Sequence, residues 1–333
     1  MNKINKNIFL FLVIFIITAG SAIPALYCNV SAKTPIYCNP SVVIGEPDAV
    51  LAVAYSPDRK LIASGGWDGV VRVYSADSGE ALWELRGHKL FVTSLDFSEN
   101  SKRLVSGSMD FTAIVWNMDN GMQEFSLNHG SNVRAVEFSK DGQYIATGSS
   151  DQTVRFWSAR DGSLLWISPR FGDSLTSVSI SSDNKYVAGG ARNNILMIMD
   201  AQNGMNLREL KGHRLPILAV KFSPDGKKLV SGDGDDAVII WNVSNWVQDR
   251  KIQWDAKAVK SLAISEDSKT FVSGDANGDV RLWDLNDGNL MGIFKGHTDS
   301  VESVAYCGPC NKIISGGMDK TIIMWQFSQD FEK

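Results

Sequence analysis

Ser106, His88 and Asp110 lie close together in the chain and supply the hydroxyl, imidazole and carboxylate from which hydrolases assemble a nucleophile, its base and the group that orients the base. The same set returns as Thr147/His129/Asp151, Ser231/His213/Asp235 and Ser315/His297/Asp319, which uses all four histidines of the chain. A reaction centre is not normally built four times in one chain, so the repetition points to structure rather than chemistry. No other constellation offers itself: there is no Gly-rich phosphate loop, no metalloprotease His/Glu spacing, no Cys-x-x-Cys-His haem site and no histidine left for acid–base work. The sequence therefore predicts no enzyme, no metal and no cofactor.

The elements that carry these residues repeat as well. From Gly212 to Trp241 the chain reads as an alternating run (Ile217 to Phe222), a Ser-Pro-Asp-Gly turn, a second short run (Lys228 to Ser231), a tight bend, and an almost continuous apolar run from Ala237 to Trp241. Pro presets φ in the turn and Gly permits the left-handed region, so the first two runs form an antiparallel hairpin. The third run lacks polar alternation and suits a strand covered on both faces, which one unit alone cannot bury. The closing residue of the unit recurs as Tyr74, Trp116, Trp157, Met199, Trp241, Trp283 and Trp325, spaced 41 or 42 residues apart. Seven such units predict an all-β, seven-bladed propeller of four-stranded antiparallel blades, spanning residues 40–327 as one monomeric domain.

At this point the chain resembles the tryptophan-aspartate (WD) repeat family, whose units carry Gly-His near the start and Asp six residues before the closing Trp. Gly87-His88, Gly212-His213 and Gly296-His297 match the first mark, and Asp68, Asp110, Asp151, Asp235 and Asp319 the second. The resemblance implies that the Ser/His/Asp sets, each with its closing Trp116, Trp157, Trp241 or Trp325, are structural hydrogen-bond networks running from Trp to Ser/Thr to His to Asp. Departures pair up: Phe171 goes with Asn193 and Asp255 with Asn277, while Asp68 stands opposite Glu46. Repeat four departs most, with Gly189 for Ser and Met199 for Trp. Too few residues follow Trp325 to form an outer strand. Aligning Gly45 with Gly87 places Pro40 to Ile44 in that role, the ring closure the family uses, which removes two open sheet edges.

The remaining features bear on location and partners. Lys3 and Lys6 precede an apolar run, Ile8 to Ile17, and the small residues Ala19-Gly20-Ser21-Ala22 follow. Residues 1–22 read as a secretory signal cleaved after Ser21 or Ala22, or as an uncleaved membrane anchor; 23–39 then form a linker and 328–333 a tail. Both place the propeller outside the cytoplasm, secreted or periplasmic, where the four cysteines pair locally as Cys28–Cys38 and Cys307–Cys310. Cys307-Gly-Pro-Cys310 resembles the thioredoxin active-site motif, which makes a thiol–disulfide oxidoreductase the rival enzyme reading. The motif falls, however, where Ser223 to Gly226 makes a hairpin turn in repeat five, with no βαβ unit around it. A formal charge of −4 and the absence of any Lys/Arg run argue against a nucleic-acid partner.

What such a disc offers is surface. The residue before the repeat Asp reads Trp67, Met109, Ser150, Arg192, Gly234, Ala276 and Met318 around the ring, and residues flanking the first strand's leading apolar position include Leu51, Phe91, Arg134, Leu218, Lys260 and Glu302. Met318, Trp67, Leu51, Met109 and Phe91 come from blades seven, one and two, and grouped aromatic and Met residues mark binding sites. The candidate partner-binding set is Trp67, Leu51, Phe91, Met109, Arg134, Arg192 and Met318. The expected function is a non-enzymatic scaffold for another protein or peptide, with a small ligand in the central channel as a further alternative.

Overall fold

The computed structural model describes residues 28–30, 36–38, 40–255, 257–307 and 310–329. The signal or anchor segment, the Cys28 side chain and residues 330–333 lie outside the described residues. Every regular element described is a strand, and the strands form seven sheets. Each blade runs from an inner strand such as Val50–Tyr55 outward through Leu61–Gly66 and Val70–Ser75 to Ala81–Arg86, all antiparallel.

The blades meet face to face, and the core is divided among the clefts between them. Val50, Val53, Ile62 and Tyr74 of blade one pack with Ile314, Ile322 and Met324 of blade seven, for example. Close approach is imposed by one glycine per blade. A Cβ at Gly65, Gly107, Gly148, Gly190, Gly232, Gly274 or Gly316 would come within 2.5–2.9 Å of a Val or Ile side chain on the next inner strand. Distances that short are not tolerated by real Cβ atoms, so the second strand must carry Gly where it abuts its neighbour.

The ring closes as expected from the sequence. Val42–Gly45 pairs antiparallel with Thr321–Met324 as the outer strand of blade seven. The segment 23–39, expected to be a linker, also contributes strands: Cys28–Val30 runs parallel to Phe327–Gln329, and Ile36–Cys38 runs parallel to Gly292–Phe294 on the edge of blade six. Cys38 is disulfide-bonded and buried among Val272, Phe294, Trp325 and Phe327, between blades six and seven.

The turn between the first and second strands explains the Cys-x-x-Cys motif. In six blades a Ser begins this turn and donates its hydroxyl to an Asp or Asn two residues on, as Ser56 to Asp58 (2.7 Å) and Ser223 to Asp225 (2.6 Å). In blade seven Cys307 occupies the Ser position and is bonded to Cys310. A covalent staple thus replaces a hydrogen-bonded one, and Cys307 is buried (2%). Closing so short a loop is worth about 2 kcal/mol on the chain-entropy model. The Cys307→Ser/Cys310→Gly variant is expected to melt about 4 °C below wild type under non-reducing conditions, and dithiothreitol, which also opens the bond at Cys38, to lower the wild type further than the variant.

Candidate functional site

The Ser/His/Asp sets are brought together in blade two as a buried chain. The Trp116 indole donates to Ser106 Oγ (2.8 Å), His88 Nε2 lies 2.7 Å from the same oxygen, and His88 Nδ1 lies 3.0 Å from Asp110. With the imidazole proton on Nδ1, that N–H donates to Asp110 and Ser106 donates its hydroxyl proton to Nε2. Burial holds His88 below its ordinary pKa against the pull of Asp110, in keeping with a neutral ring. The hydroxyl is fully buried and already holds an indole N–H, so no substrate carbonyl can reach it. Blade seven repeats the chain through Trp325, Ser315, His297 and Asp319 at 2.7–3.0 Å.

Two blades correct the expected pairings. In blade five Trp241 and His213 meet Ser231 as expected, but the carboxylate on His213 Nδ1 is Asp233, at 2.8 Å. Asp235 is exposed, and its backbone N–H, with that of Ala237, donates to Asp233 instead. Asp233 ends the second strand and enters the blade directly, whereas Asp235 sits out on the bend. In blade three Trp157 and His129 meet Thr147, but His129 Nδ1 is 3.7 Å from Asp151, because Arg155 engages that carboxylate at 3.0 Å.

Where histidine is absent, other groups take over the charge. In blade one Glu46 accepts from Ser64 (2.5 Å) and from the Tyr74 hydroxyl (2.6 Å), and Arg72 spans Glu46 and Asp68 at 3.3 and 2.7 Å. In blade six Trp283 donates to Ser273 (2.9 Å), and the acid is kept as buried Asp275, paired with Arg281. Asn277 donates to the Asp255 carbonyl (3.2 Å) and Asn193 to the Phe171 carbonyl (2.7 Å). Blade four goes apolar: the Phe171 ring lies against Gly189, filling the space a Ser would take. Sequence reasoning misses Arg72, Arg155 and Arg281, although all three stand two residues before the closing aromatic.

The rim residues form a second repeated device. The backbone N–H of Trp67, Met109, Ser150, Arg192, Gly234, Ala276 and Met318 each donates, at 2.8–3.1 Å, to the carbonyl of the residue just before an inner strand. One backbone bond per blade thus fixes seven residues around the mouth of the central channel. Trp67 is exposed (42%) and stacks on Phe91 with ring centroids 5.6 Å apart. Met109 and Met318 are half-buried and Arg192 is exposed. Leu51 and Arg134 differ from the rest: as second residues of their inner strands they line the channel wall below the mouth. Two further exposed side chains stand next to these positions in the chain, Leu90 (49% exposed) beside Phe91 and Phe111 (47%) two residues beyond Met109. Phe111 has φ of +74°, a conformation that costs a bulky residue energy; Gly69, Gln152, Asn194, Gly278 and Lys320 hold the equivalent place in other blades.

Matched to family models, the chain fits the WD domain, G-beta repeat over residues 39–75, 79–117, 121–158, 204–242, 250–284 and 288–326, more than half its length. The chain is a WD-repeat protein. The matched segments pass over 159–203, the repeat in which Phe171, Gly189 and Met199 replace the network. Relatives of this WD-repeat protein include eukaryotic translation initiation factor 3 subunit I of Eremothecium gossypii, 33% identical over 98 residues (29% of this chain, 28% of that protein). The poly(A)+ RNA export protein of Schizosaccharomyces pombe is 30% identical over 102 residues (28% of each). The guanine nucleotide-binding protein subunit beta of Dictyostelium discoideum is 33% identical over 93 residues (26% of each). Each likeness thus spans less than a third of the relative's length.

The channel of this WD-repeat protein is narrow, about 170 Å³, and walled by all seven inner strands. Four of its charges pair with one another: Lys221 lies 2.5 Å from Glu137, and Lys260 lies 3.2 Å from Glu302. Burial pushes Asp96 up to about 7, against the pull of Lys221, and its carboxylate accepts the Phe138 N–H (2.7 Å). Inner strands have no β-partner on the channel side, so side chains there serve their free N–H groups. Ser94, Ser177, Ser261 and Ser303 accept from the next blade in the same way.

Proposed function

We propose that this WD-repeat propeller is a non-enzymatic interaction scaffold that receives a protein or peptide on the rim of its channel, and that it works outside the cytoplasm, secreted, periplasmic or anchored by its N-terminal segment. The observation that carries the contact surface is the exposed Trp67–Phe91 stack, with exposed Leu90 next to Phe91 in the chain and exposed Phe111, two residues beyond the rim position of Met109, held in a left-handed backbone. The ring stack is exposed, and the left-handed turn that the blades share favours Gly, as at Gly69 and Gly278, over a bulky Phe. Large apolar groups on a rim gain little from the blade core, and strain retained at a surface position is a mark of use. Export is supported by the basic, apolar and small-residue order of residues 3–22 and by cysteines held in disulfides.

Capture of partners from the exported and membrane fractions, with mutants compared by thermal melting, tests both parts. Trp67→Ala with Phe91→Ala is expected to change stability by about 1 kcal/mol while lowering partner affinity about thirtyfold or more. Phe111→Gly is expected to raise stability by about 0.5–1 kcal/mol, by relief of the left-handed φ, and to weaken capture. A double mutant that unfolds places those rings in the core, and one that folds and captures every partner removes the rim from consideration. Absence of the protein from exported and membrane fractions overturns the location.

A further inference from the structure

The seven rim positions divide the channel mouth into three arcs. Met318, Trp67 and Met109 form an apolar arc; Gly234 and Ala276 leave blades five and six low; between these lie Ser150 and Arg192. Arg134 stands beneath Ser150 and donates from Nε to its hydroxyl at 3.2 Å. Among the described residues, neither Arg134 nor Arg192 forms an ion pair. Two other cations near the mouth are paired, Lys260 with Glu302 and Lys320 with Asp48 (3.3 Å). Arg192 holds the rim position next to Ser150, and burial and this neighbouring cation both hold the Arg134 guanidinium below its ordinary pKa. A half-buried cation beside an exposed one of the same sign works against folding, and an anion placed between the two removes that repulsion. The planar N–H forks of guanidinium suit the two oxygens of a carboxylate.

We propose that Arg134 and Arg192 form an anion subsite of the rim, binding the carboxylate side chain of an extended partner peptide whose neighbouring apolar residue rests on the Trp67–Phe91 stack. This rests on the rim being the contact surface. A singly charged carboxylate is favoured over a phosphate because Asp173, in the loop before the fourth inner strand, would repel a dianion more strongly.

The test uses fluorescein-labelled octapeptides in a Gly/Ser background. Each carries one Phe and, one to four residues later, one Glu, with matched peptides bearing Gln, Lys or phosphoserine in place of Glu. At low salt the best Glu peptide is expected to bind about tenfold tighter than its Gln counterpart. Arg192→Gln should erase that difference without altering the thermal melt, and Arg192→Glu should shift preference to the Lys peptide. Trp67→Ala should weaken the Glu and Gln peptides alike. Equal binding of Glu and Gln peptides, both weakened by Trp67→Ala, overturns the anion subsite and leaves the rim reading standing. Tighter binding of phosphoserine than of Glu overturns the choice of carboxylate. Binding by no member of the panel overturns the proposal, and the rim reading is then decided separately by partner capture.

Discussion

Removing residues 36–45 while keeping Glu46 is expected to open the ring and leave the protein aggregated or melting far below wild type. The deletion takes away the four-residue pairing of Val42–Gly45 with Thr321–Met324, the Ser41 bonds to Met324, and Val42 and Ile44 from the cleft between blades seven and one. It also removes Cys38 from the cleft between blades six and seven. Ladder bonds at about 1 kcal/mol each and two aliphatic side chains at about 1.5–3 kcal/mol each together approach the whole stability of a typical domain, about 5–15 kcal/mol. The exposed strand Thr321–Gln329 would then offer a long apolar edge to other chains. Denaturant melts and light scattering read the result. A deleted protein that stays monomeric and melts within a few degrees of wild type sinks the closure by this strand.

Asp233→Ala is expected to cost about 3 kcal/mol and Asp235→Ala less than about 0.5. Asp233 is buried, carries His213 Nδ1 and accepts the N–H groups of Asp235 and Ala237, so its loss orphans an imidazole and two backbone donors. Asp235 points to solvent. Burial works against the charged form of Asp233, yet the His213 contact and the backbone N–H groups hold its carboxyl below the usual range. A depressed native pKa gives stability that is complete above the unfolded value of about 3.9 and is lost as pH falls through the folded one. Asp110 and Asp319 are held low in the same sense. Wild-type stability should therefore fall steeply below about pH 4, and the Asp233→Ala protein should show a shallower acid limb. Equal destabilisation by the two substitutions at neutral pH would contradict the assignment.

The seven-fold period is legible in the sequence because every blade must bury both faces against its neighbours, and that demand repeats the Gly, the apolar inner strand and the closing aromatic at fixed spacing. The network is legible only where it uses histidine. Glu46, Asp275 and Arg281 meet the same electrostatic demand with other residue types, and a pattern written in residue names passes over them. Asp233 is obscured by the run Gly232-Asp233-Gly234-Asp235, in which spacing favours the wrong acid and only the path of the bend decides. The rim positions are legible because a backbone bond pins the same residue in each blade. Phe111 is missed because a left-handed φ leaves no mark on a single residue, though Gly69 and Gly278 at its equivalents hint at one.

The closing strand also fixes when the molecule can be finished. Ser41 and Met324 are 283 residues apart in the chain, yet one bonds the other. During synthesis the strand Val42–Gly45 emerges first and has no partner until the seventh repeat is made, while each new blade leaves one face uncovered for its successor. Intermediate lengths therefore expose apolar clefts and free edges, and the last repeat converts an open spiral into a ring in a single late step of high contact order. Having the two halves of the latch at opposite ends of the chain ensures that nothing shorter than the full set of repeats can lock.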